Sequence, residues 1–169
     1  MMAGTETELN PVDFVTIGTV GPKGQRLFHL QAGQSSQVVT LIIEKEQARA
    51  LAEAVREMLD NLKERFPDQP ESDLNLSQWD MSLRDPIDPL FRVAQMGLGY
   101  NEEQNRVILV AQELVASDEA DPAPGGEPQV VRLWATREQM RALSEHTFGV
   151  VKQGRADPKS NGHMIYYWT

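Results

Sequence analysis

Along the chain the apolar pattern first offers Phe14 to Val20 as a strand candidate, and Gly21-Pro22-Lys23-Gly24 then reads as a turn. In the next run, Arg26 to Ala32, Phe28, Leu30 and Ala32 share one face while Leu27, His29 and Gln31 take the other. Gly33-Gln34-Ser35-Ser36 is a second turn, and the β-branched run Val38 to Ile43 is a third strand. The period then changes to that of a helix. Ala48, Leu51, Ala52, Val55, Met58, Leu59 and Leu62 form one apolar stripe, with Glu46, Arg49, Glu53, Arg56, Glu57 and Lys63 mainly opposite. Glu44 with Gln47 supplies the start of this helix, and Phe66-Pro67 its end.

The same order recurs downstream. Phe91 to Tyr100 reads as a strand, 101–105 as a turn, and Arg106 to Val115 as a strongly apolar strand. Beyond a linker, Ser117 to Pro128, come Val130 to Trp134 and a helix opened by the capping-box pattern Thr136-Arg137-Glu138-Gln139. Gly149 weakens that second helix, which should fray before Gly154.

The two halves also match residue by residue. Val38 to Glu53 aligns with Val130 to Glu145, 92 positions on, with nine of sixteen residues identical. Arg26-Leu27-Phe28-His29-Leu30 is matched to Arg106-Val107-Ile108-Leu109-Val110 at an offset of 80, which makes Arg26 and Arg106 equivalent. Apolar periodicity explains the shared Val-Val-x-Leu but not the shared Glu-Gln-x-Arg-Ala-Leu-x-Glu. The expectation is an α+β fold. It is a duplicated βββα unit with pseudo-two-fold symmetry, of mainly antiparallel strands covered by two helices. Its parts are a first repeat, 11–66; an acidic connector, 67–90; a second repeat, 91–153, with an acidic linker, 117–128; and a tail, 154–169. The seam between repeats is the natural place for a ligand or partner groove.

Charge sharpens this division. The net charge is −9 over 169 residues; residues 66–90 carry −5 and residues 117–127 carry −4, so the connectors hold the whole excess. Such a surface repels phosphate backbones, which disfavours nucleic acid as a partner. No cysteine is present, which removes disulfides, thiolate catalysis and Cys-ligated metals. The first residues lack a basic and an apolar segment of a signal peptide, and no run of 18 apolar residues exists. A cytoplasmic protein without a membrane segment is the expectation.

Several short blocks in order carry a resemblance. Phe14 to Gly21, Gly24 to Ala32, Glu44-Lys45-Glu46-Gln47, Phe91-Arg92-Val93 and Met96-Gly97-Leu98-Gly99-Tyr100 resemble an uncharacterised bacterial family, a domain of unknown function, over most of residues 11–163. Members of that family usually end in a Cys-rich, zinc-ribbon-like tail. Asp157-Pro158 and Asn161-Gly162-His163 stand where that tail would be, without its cysteines, so the resemblance implies no zinc here.

Candidate chemistry is sparse. His29 reads as a half-exposed sheet histidine and His146 as a surface residue of the second helix. No His-x-x-x-His spacing or Gly-x-Ser-x-Gly elbow is present, and no metal or cofactor is expected. Asp80, Asp85 and Asp88 could act as acids and bases, although Asp85-Pro86 and Asp88-Pro89 are also good turn formers. Leu74, Leu76, Trp79, Met81 and Leu83 alternate so that the connector should dock on the body, with Trp79 as an anchor. Arg26 and Arg106 could clasp an anion at the seam. Arg49 and Arg141 are expected to pair with carboxylates at helical spacing on their own helices. The leading reading is a non-catalytic binding or adaptor module for a protein partner or small anionic ligand. Its candidate residues are Arg26, Arg106, Trp79, Asp85 and Asp88. The alternative is a hydrolase or phosphate-handling enzyme using the connector carboxylates with His29.

Overall fold

The computed structural model describes residues 6–22, 24–69, 71, 73–115 and 127–153. The tail 154–169 and most of the linker 117–128 lie outside the described residues. Seven strands and two helices follow in the order β1 (Glu6–Leu9), β2 (Phe14–Val20), β3 (Leu27–Gln34), β4 (Gln37–Ile43), α1 (Lys45–Arg65), β5 (Phe91–Asn101), β6 (Arg106–Glu113), β7 (Val130–Ala135) and α2 (Arg137–Gln153). The fold is α+β.

All strands join one mixed sheet, in the order β1-β7-β6-β5-β4-β3-β2. Four neighbouring pairs are antiparallel, while β1 with β7 and β4 with β5 run parallel. Strand β1 is an addition to the six expected strands. Of its four residues only Leu9 is a buried apolar one, so the stretch carries no hydrophobic period to read. Its register is held from the side: Glu6 pairs with Arg132 at 2.7 Å, and Glu8 accepts from the Trp134 indole at 2.7 Å.

The two edge strands, β1 and β2, are separated in sequence only by Asn10 to Asp13. Five peptide steps reach at most about 18 Å, whereas six flat inter-strand spacings would span about 29 Å. The sheet must therefore curl. Val12 N–H donates to the Trp134 carbonyl at 2.9 Å and Asp13 N–H to the Gly33 carbonyl at 2.7 Å, stitching β7 to β3 across the gap. One core fills the curl: Ile17, Leu30, Leu41, Leu109 and Leu133 from the strands meet Leu51, Val55, Leu59, Met140 and Leu143 from the helices.

Each helix is fastened by a glutamine in its first turn. Gln47 accepts from Glu44 N–H at 2.7 Å, and its amide donates to the carbonyls of Val93 and Ala94 at the start of β5. Gln139 accepts from Thr136 N–H at 2.8 Å, and its amide donates to the carbonyls of Val12 and Asp13 just before β2. The Thr136 hydroxyl completes the expected capping box by accepting from Gln139 N–H. The helices cross where Ser144 Oγ donates to the Ala52 carbonyl at 2.7 Å and Arg56 stacks over the Phe148 ring at 4.4 Å.

Register corrects one sequence alignment. Phe28 pairs with Ile43, and Val107 with Ala135, while Ile43 and Ala135 stand 92 apart. Phe28 therefore corresponds to Val107, an offset of 79 instead of 80. Arg106 then stands opposite Leu27 in the comparison, and Arg26 and Arg106 are not equivalent. A one-residue slip exchanges the two faces of a strand, and the alternating aliphatics of Val107 to Val110 accept either register at the sequence level.

Candidate functional site

The connector docks as its apolar alternation predicts, and it crosses the outer face of β2, β3 and β4. Thr16 Oγ1 donates to the Met81 carbonyl at 2.7 Å. Gln31 grips the backbone of Arg84 from both sides, accepting from its N–H at 2.7 Å and donating to its carbonyl at 2.9 Å. Arg84 lies 3.7 Å above the Phe14 ring, and Leu90 N–H donates to the Thr40 carbonyl at 2.7 Å. Leu83 sits over Gly18 so closely that a Cβ there would lie 2.8 Å from Leu83 Cγ.

This strap changes the reading of His29. The ring is 3% exposed, not half-exposed, and Nδ1–H donates to the Leu27 carbonyl at 3.0 Å. Burial lowers its pKa from the ordinary histidine value, and the Leu27 bond opposes that only in part. The connector carboxylates do not converge on it. Asp80 turns back to accept from Ser82 N–H, which holds its pKa down, and Asp85 and Asp88 are exposed. Trp79 is half-buried at the end of a short 3₁₀ turn, Leu76–Gln78, that lies against α2.

The helix histidine and arginine are also placed differently from expectation. His146 is half-buried, and Nε2–H donates to the Ile17 carbonyl of β2 at 2.9 Å. Burial lowers its pKa as well. Arg141 bonds across the fold and not along its helix. It holds Glu71 at 2.7 Å and Asp60 at 3.1 Å, and the Glu71 contact raises its pKa.

Two seams run between a helix and the strand its glutamine grips. In the first, α2 lies along β2, and Met81, Ser82 and Leu83 of the strap enter the space beside Gly18, Thr19, His146 and Val150. A pocket of about 240 Å³ remains, with Arg26 on its wall. In the second, α1 and β5 stand apart, and a groove of about 460 Å³ lies open between them. Ala54, Met58 and Leu62 line its helical side, and Met96, Gly97, Leu98 and Tyr100 its strand side. Glu57, Asn61 and Arg65 form the rim.

The two seams can be compared by strand register. By strand register, Thr16, Ile17 and Gly18 answer to Gly97, Leu98 and Gly99, 81 residues on. His146 and Val150 answer to Ala54 and Met58, 92 residues back. What differs is the filling. On the outer face a Cβ on Gly18 would strike Leu83, whereas nothing lies within 4 Å of a Cβ on its counterpart Gly99 or on Gly97.

Tyr100 closes one end of the open groove and is rigidly held. Its hydroxyl donates to Asn105 Oδ1 at 2.6 Å and accepts from Arg137 Nη2 at 3.1 Å, and its ring packs on Phe66. Arg137 is 2% exposed and also donates to Asn105 Oδ1 and the Gln69 carbonyl. Asn105 adopts φ 53°, a left-handed conformation that asparagine tolerates.

A family model described as "Protein of unknown function (DUF3090)" matches residues 7–161. The chain belongs to that family. The match to DUF3090 runs from β1 through α2 and so takes in both seams. Neither the curated proteins nor the solved structures contain a match to the chain. Among the described residues of this DUF3090 member, no helix is long and apolar enough to cross a membrane, and no cluster of three His, Asp or Glu residues could hold a metal ion.

Of the site residues expected from sequence, Arg26 lies on the pocket in the filled seam. Arg106 is half-buried at the start of β6, donating from Nη1 to the Gln104 carbonyl, with Nε buried and unpartnered among the described residues. The open groove's own residues, Met58, Met96, Gly97, Leu98 and Tyr100, were not singled out by sequence as a site.

Proposed function

We infer that the chain is a tandem pair of βββα units acting as a non-catalytic binding module, with the α1–β5 seam as its ligand groove. Three contacts support the duplication. Gln47 and Gln139 hold matching carbonyl pairs, each in the opposite half. Ser144 meets Ala52, and Phe148 meets Arg56, and both pairs stand 92 positions apart. Partners that are each other's equivalents touch only beside a two-fold axis.

One observation carries the binding reading. The cleft between α1 and β5 stands open over about 460 Å³. An open cleft lined by two methionines, two leucines and a fixed tyrosine exposes apolar surface that a ligand would bury.

Methyl-labelled methionine provides the test. Met58 and Met96 line the groove, whereas Met140 is buried in the core. Titration with N-acetyl-methionine amide should move the Met58 and Met96 methyl resonances and leave Met140 in place. No response at Met58 and Met96, or an equal response at all methionines, would overturn the reading.

A further inference from the structure

We propose that residues 80–88 form an acid-released strap: protonation of His29 and His146 lifts this segment off the outer face of β2, β3 and β4 while the sheet and both helices stay folded.

The segment is fastened separately from the rest of the connector. Upstream, Arg137 holds the Gln69 carbonyl and Arg141 holds Glu71. Downstream, Leu90 N–H donates to the Thr40 carbonyl and the chain enters β5. Between these anchors the segment touches one face at a few points. The Thr16 hydroxyl meets Met81, Gln31 grips the Arg84 backbone, Leu83 lies over Gly18, and Arg84 lies over the Phe14 ring. None of these contacts belongs to a strand ladder or a helix. Losing them together leaves the strand pairs and helices in place, which is the condition for a local opening.

His29 and His146, the two histidines among the described residues, lie against this segment. His29 stands on the covered face, between Gly18 of β2 and Ile42 of β4, and is 3% exposed. His146 lines the pocket that Met81, Ser82 and Leu83 enter. Each neutral ring uses its one N–H on a backbone carbonyl, Nδ1 of His29 on Leu27 and Nε2 of His146 on Ile17. A second proton would sit on His29 Nε2 or His146 Nδ1, and neither atom has a hydrogen-bond partner among the described residues. Burial holds both rings below the ordinary histidine value.

The surrounding charges do not compensate. His29 is the one titratable residue in β2, β3 and β4. β5 brings Arg92 beside Ile42, where it pairs with Glu44. Arg26 shares the pocket with His146, the neighbouring Glu145 of α2 is exposed, and α1 sends Arg56 to the Phe148 ring. On the segment itself Asp80 is turned onto Ser82, Arg84 lies over Phe14, and Asp85 and Asp88 are exposed. Among the described residues no carboxylate bonds to either ring, so lifting the segment supplies the water that an imidazolium there lacks.

Hydrogen exchange on the full chain tests this at Arg84 N–H, which donates to Gln31 Oε1 at 2.7 Å. After correction for the intrinsic effect of pH, its protection should be lower than that of the β6 amides. It should also fall between pH 7.5 and pH 5, by up to about thirtyfold for each histidine. His29→Gln with His146→Gln should remove that fall. Gly18→Ala keeps both rings but displaces Leu83, so the two histidines should titrate closer to their ordinary value of 6.5 when followed by their ring resonances. Equal protection at Arg84 and in β6 would mean that the segment opens only when the whole chain unfolds, which overturns the proposal. So does protection at Arg84 that ignores pH, a fall that survives the double variant, or histidines that titrate in Gly18→Ala as they do in the native chain.

Discussion

Gln47 and Gln139 make the same set of contacts in opposite halves of the molecule: each caps its own helix and ties it to a strand, or the residues leading into a strand, of the other half. Each joins local structure to tertiary structure, because the same amide satisfies a helix end and crosses between halves. Gln139→Ala and Gln47→Ala should each cost about 1–3 kcal/mol, combining a lost cap with unpaired carbonyls. Thermal denaturation should show a fall of several degrees for each, roughly additive in the double variant. A strongly non-additive double variant would mean that the two ties are not independent.

Gly18 and Gly97 should respond in opposite ways to the same substitution. Gly18→Ala forces Leu83 off the sheet and should cost about 1–3 kcal/mol. Hydrogen exchange should then quicken in residues 80–90. Gly97→Ala meets nothing and should change stability by less than about 0.5 kcal/mol. Equal destabilisation by both would contradict the docking of Leu83 on Gly18.

The Arg141–Glu71 pair anchors the start of the connector. Both side chains are nearly buried, 10% and 3% exposed, and Asp60 at 59% is the weaker partner. Glu71→Gln would leave a buried cation with one exposed carboxylate, and urea denaturation should report a loss of about 3 kcal/mol. A loss below about 0.5 kcal/mol would show that water reaches the arginine.

Acid should weaken the fold through its two interior histidines. His29 and His146 have pKa values lowered by burial from an ordinary value of 6.5. The unfolded chain therefore takes up protons first. The stability this provides is complete above pH 6.5 and is lost as pH falls from there toward the folded-state values. Melting temperatures should drop between pH 7 and pH 5, and His29→Gln with His146→Gln should flatten that slope. An unchanged slope in the double variant would sink the assignment.

Much of the architecture was legible because its signals were local. The strands Phe14–Val20 and Val38–Ile43 and the Thr136–Gln139 cap were read from alternation, β-branching and capping pattern, and they hold in the structure. Strand β1 was not, because Glu6 and Glu8 find their partners 126 residues away. The burial of His29 was equally hidden. Its face of β3 looks half-polar, and only the docked strap makes it interior. The groove was invisible for a related reason. Met58 and Leu62 read as an ordinary core stripe, and nothing local reveals that a groove opens between them and Met96, Leu98 and Tyr100 of β5.

The most direct test of the central claim, that the α1–β5 seam receives a ligand, is photo-crosslinking in living cells. A benzophenone amino acid placed at Asn61 stands on the groove rim, and one at Lys63 stands exposed on the same helix outside it. The account predicts a discrete adduct from position 61 that disappears when Ala54→Phe, on the helical wall, fills the groove, and none from position 63. Equal adducts from both positions, or an adduct at 61 that survives Ala54→Phe, would contradict it.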